Sequence, residues 1–117
     1  EKWLAKAANR SLAPDIISYT AVIDACARAG EHFRAEKWLA KCVEAGHRPN
    51  IFTYNVVINA CAKAHEYTKA GKLLAKAVEV GLRPDIISYT AVIDACAKAG
   101  KHIIAEKWLA KAIEAGL

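Results

Sequence analysis

The chain has 117 residues, 55% of them apolar, and 17 Lys and Arg against 12 Asp and Glu, for a formal charge of +5. Much of the apolar content is alanine, the best helix former, and strand formers never alternate over a long run, so the composition points away from a sheet and toward helices. No apolar run reaches the roughly 18 residues a membrane span needs, and the moderate positive charge fits an anionic partner without demanding one.

The predicted elements follow in chain order. Residues 1–15 read as the second helix and loop of a partial repeat. A first helix then starts just after Pro14 and runs to about Ala29. Proline fixes its own backbone, and the Asp that follows can cap free amides. Tyr19, Val22, Ile23 and Cys26 fall on one side of this helix. Gly30 suits a left-handed helix end. A second helix is predicted from about Phe33 to Ala45, with Ala35, Trp38, Leu39 and Cys42 as its apolar stripe. Glu36, Lys37, Lys41 and Glu44 are expected to face water, and Gly46 closes the helix.

The same pattern then returns. Pro14, Pro49 and Pro84 stand 35 residues apart, as do Tyr19, Tyr54 and Tyr89. EKWLAK begins at Glu1, Glu36 and Glu106, and becomes GKLLAK at Gly71. His65 replaces the helix-ending glycine in the middle copy, at some conformational cost. The copies divide as 16–50, 51–85 and a truncated 86–117. A hairpin of this size cannot bury its stripe alone, so the copies must stack. The expected fold is all-α: one continuous right-handed α-solenoid of helix-turn-helix 35-residue repeats. The last copy carries Ile103 and Ile104 where the first has Phe33 and Arg34. That apolar end opens the way to end-to-end self-association.

Catalytic and metal chemistry find little support. His32 and His102 share a repeat column, His47 lies in a loop and His65 at a helix end, and none has a partner at triad spacing. Cys26, Cys61 and Cys96 recur one repeat apart among apolar neighbours, where cysteine acts as a small buried hydrophobe; Cys42 stands alone. Hairpins stack at about 8–10 Å, too wide for successive cysteines to share one zinc ion. No phosphate-binding glycine loop is present. The sequence therefore gives no catalytic residue, no metal site and no cofactor, and reads as a binding protein.

The strict 35-residue period, with P-(D/N)-(apolar)-(apolar)-S/T-Y-(T/N) opening each first helix, closely resembles pentatricopeptide repeats. Ile51–Ala64, IFTYNVVINACAKA, is similar to that family's consensus. The first and third copies match at 25 of 31 positions between Ile16–Gly46 and Ile86–Gly116, as a consensus-type or engineered array would. Natural relatives work mainly in mitochondria and chloroplasts, but no transit or signal peptide is visible here and the sequence assigns no compartment.

The resemblance implies single-stranded RNA as partner, read at about one base per repeat. Four columns carry the expectation. Ile17, Phe52 and Ile87 would stack between bases, or instead serve as core at the helix start. Thr20, Asn55 and Thr90, and Asp15, Asn50 and Asp85, would meet base edges; the last three would cap helices in any case. In the family the residue after one tyrosine acts with the residue after the next proline. Thr20 with Asn50 would imply adenine, Asn55 with Asp85 uracil, and Thr90 a purine, from 5′ to 3′. Arg28, Lys63 and Lys98 would approach phosphate, or stay solvated at helix ends. Three repeats should bind RNA weakly, since association costs on the order of 4–15 kcal/mol against about 1–3 kcal/mol per stacked base. The alternative reading is a designed repeat scaffold for protein binding, assembly or folding studies, without RNA activity.

Overall fold

The computed structural model describes residues 15–117. The partial repeat expected over residues 1–15 therefore lies outside the described residues, apart from Asp15. Six helices of 13 residues each follow: α1 (Ile16–Arg28), α2 (His32–Glu44), α3 (Ile51–Lys63), α4 (Tyr67–Glu79), α5 (Ile86–Lys98) and α6 (His102–Glu114). They form three antiparallel hairpins stacked side by side, an all-α solenoid, with no strand among the described residues.

Stacking is uneven across the array. The first helices pack directly on one another, α1 on α3 and α3 on α5, while each second helix packs across to the next first helix. Second-helix backbones are bridged mainly by long side chains. The first helices thus form a closely spaced row along the stack.

The core runs along the stack as the repeat columns dictate. Tyr19, Tyr54 and Tyr89 are buried, as are Cys26, Cys61 and Cys96, with Ala35, Ala70 and Ala105 from the second helices opposite them. Ile23, Ile58, Leu74 and Val92 are fully enclosed, and each such side chain is worth about 1.5–3 kcal/mol of apolar burial. Leu109, in the column of Leu39 and Leu74, is half exposed.

The altered EKWLAK has a packing reason. Gly71 faces Trp108 of the next repeat: a Cβ at Gly71 would lie 3.3 Å from the indole Cζ2. One junction back, Glu36 occupies the place of Gly71, and the smaller Leu73 occupies the place of Trp108 on the same groove. The small residue at 71 is thus matched to the large ring that faces it.

Glu36 departs from the solvent-facing position expected of it. It is half-buried between α2 and α4, where Lys69 Nζ stands 3.6 Å from its carboxylate. Lys69 also lies over the Phe33 ring, 3.6 Å from the centroid, so one lysine ties the two second helices together.

All four cysteines are buried and none is in a disulfide. Burial, with the nearby Glu36 carboxylate, pushes the Cys61 thiol up to about 12, and burial alone raises Cys42 and Cys96. The thiolate is the reactive form. We therefore expect no reaction of the native chain with a disulfide reagent at pH 8 and four equivalents of reaction in denaturant.

His65 ends α3 with φ of 64°, where Gly30 and Gly100 sit at 77° and 75° in the other copies. A side chain there is strained. His65→Gly should raise the stability by about 0.5–1 kcal/mol in urea unfolding.

Candidate nucleic-acid interface

The candidate surface is built at the start of each first helix. Asp15, Asn50 and Asp85 adopt extended backbone and cap α1, α3 and α5. In each the side-chain Oδ1 accepts from the backbone N–H three residues on: Ser18 at 2.9 Å, Thr53 at 3.0 Å and Ser88 at 3.1 Å. One of the four orphan amides of each helix is thereby satisfied.

Capping leaves half of each head group over, and the half differs. Asn50 gives Oδ1 to the cap and to the Thr53 hydroxyl at 3.1 Å. Its amide orientation is fixed by that bond, so Nδ2, a donor, is the atom left to face outward. Asp85 likewise uses Oδ1, which leaves Oδ2, an acceptor. One column of caps therefore offers a donor at one junction and an acceptor at the next.

The second column meets the third across each repeat boundary. Asn55 Nδ2 donates to Asp85 Oδ1 at 3.2 Å, and Asn55 Oδ1 accepts from the Ser88 hydroxyl. Thr20 and Asn50 instead line one open groove of about 550 Å³ without a hydrogen bond between them. Ile17 and Phe52 stand on the same groove. Thr90 is exposed on α5.

The column expected to stack on bases lies in solvent, not in the core. Ile17 is 74% exposed, Phe52 62% and Ile87 63%, so the helix-start core alternative does not hold for them. Three large apolar side chains in one exposed row cost solubility and gain nothing for packing.

The basic column is not uniform. Arg28 pairs with Asp24 at 2.9 Å and Lys98 with Asp94 at 3.1 Å, each one turn back on its own helix. In the middle copy Asn59 stands where the acid would be, and Lys63 has no ion pair among the described residues. Arg28 and Lys63 border a second, smaller groove of about 210 Å³ beside the first helices. Exposed pairs of this kind hold each other by less than about 1 kcal/mol, so Asp24 and Asp94 weaken their partners for another anion without removing them.

Sequence reasoning missed Arg48. It lines the groove with Thr20 and Asn50. Its signal was the Arg48–Arg83 pair immediately before two of the three prolines.

A family model for PPR repeats matches residues 14–63 and 49–98, and a second matches residues 87–117. The chain belongs to the pentatricopeptide repeat (PPR) family. Among solved structures, it is similar to the maize pentatricopeptide repeat protein PPR10, at 23% identity and a TM-score of 0.83 over 97% of this chain. A structure of PPR10 in complex with an 18-nt psaJ RNA element aligns at 24% identity and a TM-score of 0.75, again over 97% of this chain. This chain spans 16–17% of the length of those relatives. No curated protein sequence matches it.

The caps carry a pH prediction. For Asp15, the Ser18 N–H and then its hydroxyl hold the carboxyl below the ordinary 3.8. For Asp85, burial works upward but is outweighed by the Ser88 N–H, the Ser88 hydroxyl and the Asn55 amide, so it too lies lower. Both carboxyls are depressed by folding, so both caps contribute fully above 3.8 and are lost as pH falls through the lower folded values. Asn50 does not titrate. On acidification below pH 3.8 the Ser18 and Ser88 amide signals should shift in NMR and lose protection against exchange relative to that of Thr53.

Proposed function

We propose that this chain is a single-stranded RNA-binding module whose first helices read about one base per repeat. The observation that carries this is the groove in which Thr20 and Asn50 lie together between exposed Ile17 and Phe52. A planar base fits between two apolar side chains, with its edge toward the polar pair. Membership of the PPR family and the RNA-bound relative support the same reading.

The leftover cap atoms supply a physical basis for choice. Asn50 offers a donor, which suits the unprotonated N1 of adenine and opposes the N1–H of guanine. The Thr20 hydroxyl then accepts from the exocyclic amine. Asp85 offers an acceptor, which suits the N3–H of uracil and opposes the bare N3 of cytosine. Asn55 adds a second donor hydrogen for a uracil carbonyl. The array accordingly favours adenine, then uracil, then a purine at Thr90, from 5′ to 3′ as the family likeness implies. Asp15, at the other end, would complete a site with a reading residue ahead of it. Phosphates would fall to Arg28, Lys63 and Lys98, with Arg48 at the groove itself.

The test is a titration of the chain with seven-nucleotide RNAs at millimolar concentration, followed by NMR. Oligomers with a central A-U-A should shift residues of α1, α3 and α5. Asn50→Asp should exchange adenine for guanine at the first junction, and Asp85→Asn uracil for cytosine at the second. Each switch should be worth about tenfold, the cost of one mismatched polar contact. Shifts indifferent to base identity would defeat the reading scheme, and no shifts at all would defeat RNA binding by this chain.

Salt separates the phosphate column. Three contacts predict a log–log slope of about −2, at roughly −0.7 per phosphate on single strands. Lys63→Ala should lower affinity more than Arg28→Ala or Lys98→Ala, because only Lys63 lacks an acid one turn back.

A further inference from the structure

The two repeat junctions complete among the described residues are wired differently. At the first, the Thr53 hydroxyl turns to its own cap residue, Asn50 Oδ1, and Thr20 is left to the groove. At the second, the Ser88 hydroxyl reaches across the repeat boundary to Asn55 Oδ1 while Asn55 Nδ2 donates to Asp85. Ser88 is fully buried, so its hydroxyl must find partners inside the junction. The Asp85 N–H donates to its oxygen at 3.2 Å. Its single proton stands within reach of both Asn55 Oδ1 and Asp85 Oδ1, the latter at 3.0 Å. Asp85 Oδ1 already accepts from the Ser88 N–H and from Asn55, so the proton is better placed on the Asn55 carbonyl.

The consequence is an amide held at both ends. With its oxygen on Ser88 and its nitrogen on Asp85, Asn55 cannot flip without setting its carbonyl against a carboxylate. We infer that Ser88, which touches no base itself, is a positioning residue for base choice: it fixes the Asn55 amide so that the second junction presents one defined edge. Thr20 has no such brace, so the first junction adapts to its base and the second is set before the base arrives. The inference rests on the RNA-reading proposal for its functional meaning, but the brace itself is a property of the free chain.

Wild type, Ser88→Ala and Ser88→Thr separate these. Ser88→Thr keeps the hydroxyl, and Thr53 shows that the site accepts threonine at 2% exposure. In the free chain, the Asn55 side-chain amide should exchange with water about tenfold more slowly than that of solvent-exposed Asn59. The difference should survive in Ser88→Thr and shrink in Ser88→Ala, with all three folded by circular dichroism. With RNA, Ser88→Ala should cut the uracil-over-cytosine preference at the second junction by about three- to tenfold, the worth of one hydrogen bond. It should leave the adenine-over-guanine preference at the first unchanged, and Ser88→Thr should restore the lost preference. An Asn55 amide that exchanges identically in Ser88→Ala and wild type overturns the inference whether or not RNA binds. So does an unchanged uracil preference in a Ser88→Ala chain that binds RNA. Failure of every variant to bind RNA sinks the RNA reading alone, and the exchange result still decides the brace.

Discussion

The structure depends on a hydrogen bond made three times: a short polar side chain after proline accepts the backbone N–H three residues along and starts a first helix. Without it, the orphan amides of α1, α3 and α5 would face the junction unsatisfied, at a cost of about 1 kcal/mol each. With it, each first helix begins at a fixed register against the hairpin before it. That register carries Tyr19, Tyr54 and Tyr89 into the core and sends Ile17, Phe52 and Ile87 outward.

In the proposed scheme the same bond joins scaffold to specificity. An Asn or Asp that caps through Oδ1 has one atom left, and the side-chain type alone decides whether that atom donates or accepts. Asn50 and Asp85 both serve as caps and, in the proposed scheme, are opposite as readers. Stability thus tolerates variation in the column on which the proposed base choice turns. Capping and reading, competing explanations when only the sequence is considered, are compatible uses of two atoms of one side chain.

Much of the fold was legible because the period is strict. Proline, tyrosine and glycine at 35-residue intervals located six helices to within a residue or two, and apolar spacing found the buried face. The family likeness brought the polar columns forward. What the spacing could not supply were contacts across the boundary, since these depend on side-chain reach. Asn55 is long enough to bridge to Asp85 and Ser88, and Thr20 is not. Glu36 looked like a surface residue on its own helix and proved to be tucked beside Lys69 of the next hairpin. Gly71 stood in the sequence only as a departure from EKWLAK, yet it makes room for Trp108 of the next repeat. The difference among Arg28, Lys63 and Lys98 was written in Asp24, Asn59 and Asp94, but it takes on meaning only when one turn of helix brings the acids to the bases.

The central claim is that a cap stays a cap while its other atom reads a base. A structure of this chain with an A-U-A oligomer tests it most directly. The account predicts Asn50 Oδ1 still on the Thr53 N–H and Asp85 Oδ1 still on the Ser88 N–H, with Asn50 Nδ2 and Asp85 Oδ2 turned to the bases. Side chains of Asn50 and Asp85 swung off their helices to reach the RNA, or remaining on them with no base within hydrogen-bonding distance, would contradict it.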